Sequence, residues 1–166
     1  MNRLIVFLLF VLTVSNSSAS VLDEIIEEEC SGVPSWVVKK VITHESKTFF
    51  NGKAQPWPWT LNIDGVGHYF EDYVSALVAA RVALDSSDNI DIGIAQISWK
   101  YHAHRFDDKL ANALDPRRNI HAACRILREG KSNKNRVITW EDAIAYYHRP
   151  VLDSKARKYA QTVLGL

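Results

Sequence analysis

Trp36-Val37-Val38-Lys39-Lys40-Val41-Ile42-Thr43-His44-Glu45 is the stretch that decides how this chain is read. At helical spacing Val38, Val41 and Ile42 form one stripe with Glu45, while Lys39, Lys40 and Thr43 point elsewhere. A carboxylate closing an apolar stripe is poorly solvated. Desolvation disfavours its charged form and raises its pKa, which suits a general acid working near neutral pH. The plainer reading is a helix that has reached its solvated end.

Outward from this helix, the mature chain reads as helical. Leu22, Ile25 and Ile26 begin a short helix with Glu27, Glu28 and Glu29 outside, and Ser31-Gly32-Val33-Pro34 breaks it. Ser35 is the expected cap of the Glu45 helix. Asn51 to Gly67, with Pro56-Trp57-Pro58-Trp59 at its middle, reads as a long irregular loop, either a cleft lining or a packed flap. Phe70, Tyr73, Val74, Leu77, Val78 and Leu84 predict the inner stripe of a further helix, interrupted by Arg81. A tight element around Gly93 spans Asp91 to Trp99. Asp115-Pro116 opens a helix with Ile120, Ala123, Cys124 and Leu127 inward. Thr139 with Asp142 resembles a capping pair for a helix carrying Trp140, Ala143, Ile144 and Tyr147. Asp153 or Ser154 caps the last helix, with Ala156, Tyr159, Ala160 and Val163 inward.

Residues 1–19 have the layout of a secretory signal peptide: a basic start at Arg3, an apolar run from Leu4 to Val14, and small residues around Ser17 and Ala19. The expectation is cleavage after Ala19 and a periplasmic mature domain over 20–166, with an uncleaved anchor as the alternative. The formal charge of +1 gives no electrostatic case for nucleic acid as partner. In an oxidising compartment Cys30 and Cys124 are either bridged or two buried thiols.

The chemistry narrows by residue type. His44-Glu45 starts like a zinc-protease helix, but Thr48 stands where the second histidine belongs, and His102 and His104 diverge at helical spacing, so no metal or cofactor is expected. Ser46 lacks a glycine elbow, and neither cysteine has a nucleophile signature. Carboxylate acid catalysis on a glycosidic bond is what remains.

Glu45-Ser46, Gly93-Ile94-Ala95-Gln96, Asp115-Pro116 with Asn119-Ile120, and Ala145-Tyr146-Tyr147 follow in that order from about Cys30 to the final helix. This order resembles the lytic transglycosylase family with the soluble-lytic-transglycosylase (goose-lysozyme-like) domain. The resemblance implies a mainly α, lysozyme-like single helical domain with a cleft. It implies Glu45 as the sole catalytic acid, with Ser46, Gly93, Gln96, Tyr146 and Tyr147 binding substrate. Gly93 would permit close approach of the glycan, and Tyr146 would reach toward the carboxyl or the substrate's N-acetyl group. Peptidoglycan glycan strands would be the substrate, opened to 1,6-anhydro ends by a monomer serving an envelope-spanning secretion or conjugation machine. The chain departs from the family pattern at Ile94-Ala95, at Tyr147 where an asparagine is usual, and at His148-Arg149 where the family has Ala-Gly. Two rivals stand beside this reading. One is a hydrolytic lysozyme needing a second acid, Asp64 or Asp91, and the other is a non-catalytic wall-binding protein. Trp57, Trp59 and Trp99 are candidate sugar-stacking rings, or else core packing.

Overall fold

The computed structural model describes residues 20–50, 52–132 and 139–166. The expected signal segment, residues 1–19, and Asn51 lie outside these. Among the described residues no helix is long and apolar enough to cross a membrane.

Eight α-helices dominate the described residues: α1 (Val21–Glu29), α2 (Ser35–Ser46), α3 (Tyr73–Leu84), α4 (Trp99–His102), α5 (Leu110–Ala113), α6 (Pro116–Lys131), α7 (Trp140–His148) and α8 (Ser154–Leu164). The chain is nonetheless mixed rather than mainly α. Strands β1 (Lys47–Phe50) and β2 (Lys53–Pro56) pair as one hairpin. Strands β3 (Thr60–Ile63), β4 (Val66–Tyr69), β5 (Ile90–Ile92) and β6 (Ile97–Ser98) form an antiparallel sheet in the order β4-β3-β5-β6. Among the described residues of the loop expected over Asn51 to Gly67, β2, β3 and the start of β4 take its place, with Trp57 to Trp59 as a connection. Its prolines sit at the end of β2 and in the connection to β3, where no ladder donor is required of them.

The side-chain caps follow the local chemistry. Ser20 and Asp23 make a capping box on α1. Asp72, Asp115, Thr139 and Asp153 accept from the backbone N–H three residues on, at the starts of α3, α6, α7 and α8. Ser35 does not cap α2. It is already helical, and the chain enters from Pro34, whose carbonyl accepts the N–H of Val37 at 2.9 Å.

Val37, Val38, Val41 and Ile42 of α2 are wholly buried, as are Ile120, Ala123, Cys124 and Leu127 of α6 and Leu61, Ile90 and Ile92 of the sheet. Helix α3 buries the expected stripe only in part: Tyr73, Leu77 and Leu84, with Phe70 just before the helix, pack against the core, but the most deeply buried positions are alanines. Ala76, Ala80 and Ala83 are inside, whereas Val74, Val78 and Val82 are exposed. Apolar residues encircle this helix, so periodicity scarcely distinguishes its faces, and the alanine side lets its backbone approach β3, β5 and α5 closely. Cys30 and Cys124 are bridged, with Cα atoms 5.3 Å apart, tying the end of α1 to α6 across 94 residues. A loop of that length makes the bridge worth about 2–5 kcal/mol.

Register sorts the four-stranded sheet into two faces. Leu61, Ile92 and Ile97 lie opposite one another and are buried. Asn62, Asp91 and Ser98 form the adjacent row across β3, β5 and β6, pointing away from that core because side chains alternate along a strand.

Candidate active site

Glu45 sits in the last turn of α2, one residue after His44 and directly before Ser46, where the helix gives way to β1. Its side chain is largely buried, and this burial pushes its pKa up to about 7; the hydrogen bond from Tyr159 opposes the rise, and the nearby charge of Asp91 adds to it. The last turn of a helix also presents the negative end of the backbone dipoles, which disfavours an anion. Glu45 thus holds a proton to near neutrality and can release it there.

Tyr159 of α8 donates its hydroxyl hydrogen to Glu45 Oε1. Its ring is clamped between two histidines. His148 stacks on it at 4.5 Å with planes 11° apart, and His44 meets it edge-on at 5.2 Å. Burial lowers the pKa of both histidines, and positive neighbours (Lys47 beside His44, Arg149 beside His148) lower it further. Burial and the Glu45 charge raise the phenol pKa of Tyr159, so the hydroxyl stays a donor.

Asp91 occupies the polar row of the sheet. Burial raises its pKa, against a hydrogen bond with Ser98. Its charge acts on both Glu45 and Tyr147, which places the helix carboxyl and the sheet carboxyl within one electrostatic neighbourhood. Asp64 is elsewhere. It accepts from Ser87 and Asn89 in the turn after β3.

The other expected substrate contacts have structural duties. Ser46 is fully buried; its hydroxyl donates to Ile42 O at 3.0 Å and accepts the Trp57 N–H at 3.2 Å, so it pins the second hairpin rather than meeting a ligand. Gly93, at φ +81°, does not make room for a glycan. A Cβ there would fall 2.6 Å from Asn119 Nδ2, and that space belongs to the core. Asn119 is wholly buried; it donates to Ile92 O and Ala113 O and accepts the Ala95 N–H, clamping the turn from above. Gln96, itself at φ +47°, turns its amide NH₂ back onto Gly93 O and Thr60 O. Tyr146 is half-buried. Its ring lies against Gly130 of α6, and the tyrosine near Glu45 on this helix is Tyr147, whose hydroxyl donates to Ala95 O at 2.5 Å.

These contacts form one chain. Ser46 holds Trp57, the Trp57 carbonyl holds Thr60, Thr60 holds Gly93 and Gln96, Asn119 holds Ala95, and Ala95 holds Tyr147. The segments singled out in the sequence are therefore brought together, but mostly as a frame around the Glu45 carboxyl. Tyr159 escaped notice as a site residue. The available signal was a tyrosine on an inner face otherwise made of Ala156, Ala160 and Val163, since a buried phenol needs a partner.

Among the described residues, no three His, Cys, Asp or Glu side chains gather as metal ligands would. Two surface depressions, one beside Arg125 and Arg128 and one beside Cys30, contain none of the site residues. No family model, curated protein or solved structure matches this chain, so the site rests on its own geometry.

Proposed function

We propose that the protein is an exported enzyme that cleaves cell-wall glycan, with Glu45 as the acid on the bond between N-acetylmuramic acid and N-acetylglucosamine. The observation that carries this reading is a single buried-edge carboxyl with a pKa near 7, aimed by a tyrosine from another helix. Protonated Glu45 gives its proton to the bridging oxygen, and the C1–O bond breaks. The substrate's own N-acetyl group stabilises the cationic sugar. Ionised Glu45 then takes the proton of the C6 hydroxyl, O6 bonds to C1, and a 1,6-anhydro end forms without water. A pKa near neutrality lets one group perform both transfers. The lysozyme-like cleft, the periplasmic location and service to an envelope-spanning secretion or conjugation machine belong to this same proposal.

A second reading has one observation in its favour, the charge of Asp91 acting on Glu45. There the sheet carboxylate would deprotonate a water that attacks C1 while Glu45 protonates the leaving oxygen, giving hydrolysis. Mass spectrometry of the products from purified sacculi separates the two. Anhydro ends are lighter than hydrolysed ends by one water. Intact sacculi after prolonged incubation would remove both readings.

A further inference from the structure

The three tryptophans suited to a sugar face are all half-buried. Trp59 and Trp99 pack against the buried core, and Trp57 lies outside that packing. Trp57 is nevertheless held at every polar atom. Its N–H reaches Ser46 Oγ at 3.2 Å and Ser46 O at 3.1 Å, its carbonyl accepts from Thr60 at 2.9 Å, and its indole Nε1–H donates to Phe70 O at 2.7 Å. The ring meets Trp59 in a T-shaped contact at 5.6 Å. Pro56 and Pro58 on either side restrict the backbone further.

Such a ring has no hydrogen bond left to offer, only apolar surface. It is half-buried, immobilised before any ligand arrives, and anchored to the residue that follows Glu45. A fixed aromatic plane binds at low ordering cost. An amphipathic ring with one face of C–H groups, together with an acetamide methyl, is the matching chemistry.

We propose that Trp57 is a stacking residue of the glycan groove, receiving an N-acetylhexosamine ring next to the bond that Glu45 cleaves. This rests on the glycan-cleaving reading above. It assigns the β1–β2 and β3–β4 hairpins a role in holding substrate, and it makes Trp57 a binding residue that leaves the proton transfers to Glu45.

The test uses peptide-free glycan strands from sacculi as ligand and substrate. Binding is measured by calorimetry on the full mature chain carrying Glu45→Gln, with and without Trp57→Ala or Trp57→Phe, and turnover on the same Trp57 variants with Glu45 intact. Trp57→Ala is expected to weaken binding about tenfold, or about 1.4 kcal/mol, raising KM with little change in kcat. Trp57→Phe keeps a ring face but loses the bond to Phe70, so it should retain most of the affinity while the melting temperature falls. Unchanged affinity in Trp57→Ala overturns the proposal. Equal losses of affinity in both variants, in step with thermal destabilisation, overturn it too, because the ring would then merely hold the hairpin. If the parent protein cleaves glycan in either case, the glycan reading survives; if it neither binds nor cleaves the strands, that reading falls first.

Discussion

Tyr159 reaches Glu45 from 114 residues further along the chain and gives its hydroxyl hydrogen to Oε1. The bond leaves the second carboxyl oxygen as the one able to face a substrate, and the histidine clamp on the phenol ring keeps that direction constant.

Tyr159→Phe removes a donor that favours the ionised carboxylate, so the Glu45 pKa should rise further. The alkaline limb of kcat/KM, governed by loss of the Glu45 proton, should move above its wild-type position near pH 7. The maximal kcat should fall about tenfold as the carboxyl loses its fixed orientation. A pH–rate profile with an unmoved limb would show that Tyr159 does not act on Glu45.

Glu45→Gln should abolish wall clearance and stabilise the fold, with a definite pH dependence. The folded-state pKa of about 7 exceeds the ordinary 4.5, so the folded chain binds more protons between those values. Stability therefore falls as pH rises through that window. The variant escapes the loss. Near pH 8 it should exceed wild type by about 3 kcal/mol, and near pH 4 the two should coincide. Urea denaturation at both pH values measures this; equal stabilities at both would mean the Glu45 carboxyl is not desolvated.

Asp91→Asn discriminates between the two cleavage routes while testing the electrostatic link. Removing the Asp91 charge relieves its repulsion of ionised Glu45, so the alkaline limb should move to lower pH, opposite to the Tyr159→Phe shift. Under the anhydro route the product and most of the rate persist. Under hydrolysis the loss of the base should cost at least about a hundredfold. Product mass and rate at the respective optimum decide.

Gly93→Ala should act on the frame rather than the chemistry. The new Cβ meets Asn119 at 2.6 Å and Ala113 O at 3.0 Å on a backbone with φ +81°, so strain and overpacking combine. A loss of about 3 kcal/mol is expected. A variant that melts like wild type would mean the Gly93–Asn119 contact is not tight.

What could be read without the fold was whatever depends on near neighbours. The capping pairs at Asp115, Thr139 and Asp153 act over three residues, and the α2 and α6 stripes repeat within a few turns, so local spacing reveals them. The desolvated position of Glu45 followed from the same periodicity. Strands β1 to β4 were hidden because the Pro-Trp stretch carries turn chemistry, while the pairing of β3 with β5 depends on partners almost thirty residues away. The inner stripe of α3 was read only in part, with Tyr73, Leu77 and Leu84 on the core but Val74 and Val78 outside, because apolar residues surround this helix.

The sequence by itself determined which residue carries the unusual proton, since four buried aliphatic side chains of α2 precede Glu45 within a few turns. Only the tertiary structure decided what surrounds it. That Tyr147 lies near Glu45 while Tyr146 packs on Gly130 of α6 depends on how α7 is rotated, which is fixed by contact and not by composition. The same holds for Tyr159, Asp91 and Trp57. Each comes from a separate element, and only long-range packing brings Tyr159 and Asp91 to the Glu45 carboxyl and Trp57 to the neighbouring Ser46.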